Sequence, residues 1–74
     1  MNNIENVEYS DYFQAQQWRV DFDYKHHKYC IYIMDGLSYL YMWNNTTGWR
    51  AIKTIDHLVN LNEATKIIDL KVFL

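Results

Sequence analysis

Seventy-four residues suffice for one domain, and with half of them hydrophobic and 18% aromatic the chain is too apolar to remain disordered. Seven Lys and Arg against nine Asp and Glu leave a formal net charge of −2. That balance lacks the basic footprint of phosphate neutralisation, which argues against nucleic acid as a partner, and it is too weakly acidic to imitate DNA by charge density.

A domain near this size buries roughly 60% of its unfolded surface, so some large apolar residues are expected at an interface. A homodimer or a standing partner protein follows as the expectation. One cysteine cannot close an intramolecular disulfide. The opening M-N-N-I-E-N-V-E has neither the basic nor the apolar region of a secretory leader. No apolar run approaches the roughly 20 residues that span a bilayer, so a cytoplasmic protein with no membrane association is expected. Asn44-Asn45-Thr46 and Asn45-Thr46-Thr47 match the glycosylation pattern but, without a leader, read as loop residues.

In the first 17 residues Ile4, Val7, Tyr9, Tyr12 and Phe13 follow neither the helical nor the strand period. Ser10-Asp11 is suited to cap a short helix through Gln17; the alternative is a strand over Asn6–Ser10 followed by a loop. Trp18–Tyr24 alternates without a fault, with Trp18, Val20, Phe22 and Tyr24 on one side and Arg19, Asp21 and Asp23 on the other. If Lys25-His26-His27-Lys28 closes a hairpin, Tyr24 stands opposite Tyr29, Phe22 opposite Ile31 and Val20 opposite Ile33. Asp21 then lies beside Tyr32, and Asp23 beside Cys30.

The centre of the chain is Lys28–Trp43, where two runs of strand-forming residues meet at Asp35-Gly36, a strong signal for a two-residue hairpin turn. The turn places Met34 opposite Leu37, Tyr32 opposite Tyr39, Cys30 opposite Tyr41 and Lys28 opposite Trp43. One face carries Tyr29, Ile31, Ile33, Leu40 and Met42 with Ser38 and reads as core. The other carries Cys30, Tyr32, Met34, Leu37, Tyr39, Tyr41 and Trp43, equally apolar but built mainly of aromatic rings.

After the polar Asn44–Gly48 turn, Trp49–Lys53 resumes as a strand with Trp43 opposite Trp49 and Leu40 opposite Ile52. Thr54 caps a helix whose stripe is Ile55, Leu58 and Val59, ending near Ala64. Ile67–Leu74 alternates as a closing strand, its terminus set against its own or a partner's sheet. There is no repeat, linker or proline to mark a boundary within residues 1–74. The expected fold is a single α+β domain: an antiparallel three- to four-stranded meander, one helix packed on one face, and a C-terminal strand.

Chemistry is sparse in this pattern. His26-His27 with Asp23 nearby is a candidate metal site, but neighbouring strand residues point to opposite sides and no ligand spacing accompanies them, so no metal or cofactor is expected. Cys30 is central in a strand and reads as a small hydrophobe. The two glycines both lie in turns, leaving no phosphate loop. No enzyme class is supported. The basic tip Lys25–Lys28 reads as a solubilising hairpin end. Rings on a sheet resemble single-strand stacking platforms, but those lie in positive grooves, whereas Asp21 and Asp23 flank these rings.

The ending T-I-D-H-L-V-N-L-N-E-A-T-K-I-I-D-L-K-V-F-L resembles the short-helix-then-strand ending of the small uracil-DNA glycosylase inhibitors of Bacillus phages. Size, the Asn-, Ile-, Lys- and Tyr-rich composition and the adhesive sheet are similar to phage-encoded inhibitors of host defence as a broad class. The resemblance implies a small protein that works by occupying another, and no functional residue is carried over from it. The expected function is non-enzymatic protein binding, as a phage anti-defence inhibitor acting in the host cytoplasm, with Asp21, Asp23, Tyr32, Tyr39, Tyr41 and Trp43 as the contact surface. The alternative is a small nucleic-acid-associated protein that stacks bases on the sheet.

Overall fold

Asp35 and Gly36 have φ angles of 54° and 77°, the pair of positive values that a type I′ turn needs. This turn joins β3 (His27–Met34) to β4 (Leu37–Asn44) in the expected register, Met34 opposite Leu37, Tyr32 opposite Tyr39 and Cys30 opposite Tyr41. The computed structural model describes residues 3–12 and 17–74. β1 (Ile4–Tyr12), β2 (Gln17–Tyr24) and β5 (Gly48–Ile55) complete a five-stranded antiparallel meander in sequence order, and one helix, α1 (Leu61–Lys71), follows. The architecture is α+β, with five strands in the meander where three to four were expected.

The β2–β3 connection departs from expectation. Lys25 and His26 alone form the turn, with φ of 49° and 68°, and Tyr24 pairs with His27 rather than Tyr29. The register therefore slides by two: Phe22 meets Tyr29, Val20 meets Ile31 and Trp18 meets Ile33. A slide of two preserves every side chain's face, so the core face is the expected one although each partner differs. Left-handed backbone costs roughly 1–2 kcal/mol at a non-glycine residue. Lys25 has compensating contacts: its ammonium lies 2.8 Å from Asp69 and over the rings of Tyr24 and Phe73 at 5.2 and 4.9 Å.

β1 pairs along β2, with a bulge between Glu5 and Glu8 where Asn6 adopts φ 53°. The helix expected over residues 10–17 is not formed at Ser10–Tyr12, which belong to the strand, and residues 13–16 of that expectation lie outside the described ones. At the other side Trp43 does pair with Trp49. A bulge then sets Leu40 against Lys53 and Tyr41 against Ala51, so Ile52 is an extra residue rather than Leu40's partner.

The expected helix from Thr54 and strand over Ile67–Leu74 are both corrected. Thr54 and Ile55 finish β5, and residues 61–71 are helical. Asn60 is the cap: its side-chain oxygen accepts from the Glu63 backbone N–H at 2.9 Å. Leu61, Ala64, Thr65, Ile68 and Val72 have helical spacing as good as the alternation of Ile68, Leu70, Val72 and Leu74. Burial decides between the two periods. A further strand would lengthen the sheet and leave its aliphatic face in water, whereas a helix lays Ala64 and Ile68, each 0% exposed, upon it. Leu70 and Leu74 are exposed instead.

The core between sheet and helix comprises Val20, Phe22, Tyr24, Tyr29, Ile31, Ile33, Leu40, Ile55, Val59, Ala64 and Ile68. Leu58, expected among them, is 57% exposed, because the segment before α1 is not helical and presents only Val59 inward. Buried Ser38 anchors that segment: its hydroxyl donates to the His57 carbonyl at 2.7 Å and accepts from the Val59 N–H at 3.2 Å.

Candidate functional site: the second face of the sheet

With α1 on the aliphatic face, strand alternation sends Tyr32, Tyr39, Tyr41 and Trp43 to the opposite one. The three tyrosines are half-buried and Trp43 is 41% exposed. Tyr32 and Tyr39 face each other directly across β3 and β4. β1 hydrogen-bonds to the flank of β2, extending the sheet rather than lying over these rings.

Sequence reasoning missed two residues here. Trp49 packs edge-on against Trp43 with ring centroids 5.3 Å apart, adding a fifth ring to the face. Arg19 donates to both oxygens of Asp21, at 2.6 and 3.1 Å, and its guanidinium carbon stands 5.0 Å from the Trp49 ring centroid. The pairing of Trp43 with Trp49 was available as a signal; nothing local predicts Arg19 meeting Trp49, three strands away. Together with Cys30, Tyr32 and Tyr41 these two line a small groove of about 200 Å³. Cys30 is 3% exposed, and burial pushes its thiol up to about 12, so it remains protonated.

The acids also move. Asp21 lies opposite Cys30, Asp23 opposite Lys28 and Arg19 opposite Tyr32, two residues along from the expected neighbours. β1 brings Glu8 opposite Asp21 and Glu5 opposite Asp23, and the Asn6 amide donates to Asp23 at 2.7 Å. Like charges directly across a strand pair repel, and Arg19 on Asp21 and Lys28 across from Asp23 offset this acidic margin from within.

At the end of the sheet, the Lys25–Lys28 turn and the Asn44–Gly48 loop come together around an open groove of about 820 Å³, whose walls include Glu5, Asp23, Lys28, Trp43 and Asn45. The loop is ordered by Asn44, whose side-chain oxygen accepts from Thr46 and Thr47 N–H at 2.8 and 3.1 Å. The Trp43 indole donates to Asn45 at 2.9 Å. Asp23 and Trp43 thus belong to both the aromatic face and the groove.

His57, in the segment between β5 and α1, contacts Asp56 at 3.1 Å and Glu63 at 3.3 Å. Hydrogen bonds to Asp56 and then Glu63 raise its pKa above the ordinary histidine value. Among the described residues no group of three His, Cys, Asp or Glu is placed to hold a metal ion, and no helix is long and apolar enough to cross a membrane. Comparison of the chain with known protein families, curated proteins and solved structures returns no match.

Proposed function

We propose that this protein is a non-enzymatic binding module that acts by occupying another protein. The observation that carries the reading is the two-sided sheet: one face is sealed by α1, while the other keeps three tyrosines and two tryptophans beside Asp21 and Asp23 with no helix of the described chain upon it. Tyr and Trp supply large contact area at low conformational cost, and flanking carboxylates select partners of opposite charge. In the setting suggested by the sequence resemblance, the module is a phage anti-defence inhibitor that blocks a host enzyme or complex in the host cytoplasm. A homodimer through the same face would satisfy the same surface. Both outer strands carry a bulge, and β5 adds Arg50 and Lys53, features that discourage edge-to-edge pairing and favour the face over the edges.

The test is a partner titration with Tyr39→Ala and Tyr41→Ala. Each should weaken binding by roughly 1–3 kcal/mol, the usual range for an aromatic anchor, while leaving unfolding little changed. Variants that unfold more readily yet bind as before when folded would reject the face as the site. The row of rings across the sheet also favours, as a second reading, a nucleic-acid-associated protein that stacks bases. A gel shift that weakens steeply between low and moderate salt is required by that reading alone.

A further inference from the structure

β2 is joined to β3 by a turn that its own residues disfavour. Lys25 and His26 both take left-handed backbone, with φ of 49° and 68°, at the two positions where a type I′ turn prefers asparagine and glycine. What holds them there comes from the far end of α1. Asp69 accepts from the Lys25 ammonium and from the Tyr24 hydroxyl, each at 2.8 Å, and the same ammonium stands 4.9 Å from the Phe73 ring centroid. A strained turn is thus clasped from another element.

A second register is open to the same two strands. With Lys25–Lys28 as a four-residue loop, Tyr24 pairs with Tyr29, Phe22 with Ile31 and Val20 with Ile33, a slide of two residues from the observed pairing. A one-residue slip would turn the apolar set of β2 to the wrong face, whereas a slide of two keeps Val20, Phe22 and Tyr24 toward the core. β1, at the edge of the sheet with β2 as its neighbour, travels with β2. Four-residue loops are built around a type I turn, so the slide removes the two adjacent left-handed residues. It gives up the Trp18–Ile33 pair, the Phe22–Tyr29 stack with centroids 5.7 Å apart, and the Asp69 clasp.

We infer that β2 has these two registers on β3 and that the Asp69–Lys25 clasp selects the observed one, which makes the β2–β3 turn a switch acting through the sheet on its second face. The clasp lies on the α1 side and its consequence on the other. In the slid register β2 is displaced by roughly 7 Å along β3. Arg19 then stands opposite Met34 instead of Tyr32, drawn away from the Trp49 end of the sheet, and the bridge over Cys30 opens. Asp21 moves beside Tyr32 and Asp23 beside Cys30, so the charges change position against the rings. The device goes beyond the binding reading, because it alters the face whatever occupies it.

The experiment compares two variants of the full chain with the wild type, by NMR and by labelling of Cys30 with a disulfide reagent. Asp69→Ala removes the clasp and keeps the strained turn. The double variant Lys25→Asn, His26→Gly also loses the Lys25–Asp69 pair, but its turn takes left-handed backbone without strain. In the wild type, backbone proton contacts should join Val20 to Ile31. In Asp69→Ala a second set of signals should join Val20 to Ile33 and Phe22 to Ile31, and Cys30 should label several-fold faster while amide exchange at Leu40 stays slow. The double variant should keep the wild-type contacts and the slow thiol. Asp69→Ala with wild-type contacts alone overturns the inference, as does Cys30 labelling that rises only in step with Leu40 exchange, the mark of global unfolding. A double variant that slides as Asp69→Ala does overturns it too, since turn strain would then not set the register.

Discussion

The guanidinium carbon of Arg19, on β2, lies 5.0 Å from the centroid of the Trp49 ring on β5, so one contact spans the middle of a five-stranded sheet. Cys30 and Tyr41 occupy the strands between, and the bridge over them explains how a face without a helix nevertheless buries a thiol. The second face is thus closed at its centre and open along the Asp23 and Trp43 side.

Cys30 reports on this bridge. In the native protein its thiol should react with a disulfide reagent far more slowly than an exposed cysteine, since burial holds its pKa up to about 12 and the thiolate is the nucleophile. Trp49→Ala should accelerate the reaction by about tenfold or more under folding conditions, because it opens access to the thiol, and Arg19→Ala should accelerate it less, because it opens access but removes the positive charge that favours the thiolate. An unchanged rate in both variants would place Cys30's protection elsewhere.

Truncation in the core should be costly and position-specific. Ile31 is 0% exposed and Leu70 is 65% exposed. Ile31→Ala should lower stability in urea by roughly 2–5 kcal/mol, a large part of what a domain this small has, whereas Leu70→Ala should change it by less than about 0.5 kcal/mol. A large loss at Leu70 would indicate that the chain buries this side of α1 in a dimer, which the concentration dependence of the transition would reveal.

Ser38 joins β4 to the segment preceding α1 through two hydrogen bonds, to the His57 carbonyl and from the Val59 N–H. Ser38→Ala leaves both backbone groups without that partner and should cost roughly 1–3 kcal/mol. Faster amide exchange at Val59 than at the strand centres is the accompanying signature in the variant.

His57 and Asp69 should give opposite slopes of stability with pH. Hydrogen bonds to Asp56 and Glu63 raise the His57 pKa above its ordinary 6.5, so their contribution is complete below that value and is lost as pH rises through the higher folded one. Lys25 and then Tyr24 lower the Asp69 pKa below its ordinary 3.8, so that contribution is present above 3.8 and is lost as pH falls through the lower folded one. His57→Gln should flatten the decline in stability between about pH 5.5 and 8, the range in which histidine titrates. Asp69→Asn should act only on the acid limb. A His57 variant with the wild-type slope would show the contact to be without energetic consequence.

Local chemistry was sufficient for the central hairpin. Asp35-Gly36 can reverse the chain in two residues because both accept positive φ, and strict alternation then assigns every residue from Tyr29 to Trp43 to a face. The candidate residues Tyr32, Tyr39, Tyr41, Trp43, Asp21 and Asp23 share one face for that reason, and a two-residue error in the β2–β3 register did not disturb it. The turn itself was misread because Lys25-His26 takes left-handed backbone without glycine, supported by Asp69 from 44 residues away.

What only the tertiary structure decided is the state of residues 54–74 and the contacts across the second face. Ile67–Leu74 satisfies both the strand and the helix period, and the choice fell to the need to cover Val20, Phe22, Ile31 and Leu40, an apolar layer that exists only once the sheet has assembled. Arg19 and Trp49 carry no local signal for one another. They meet because β3 and β4 have the width that a guanidinium and an indole can span, and that distance is set by strand pairing rather than by anything adjacent to either residue.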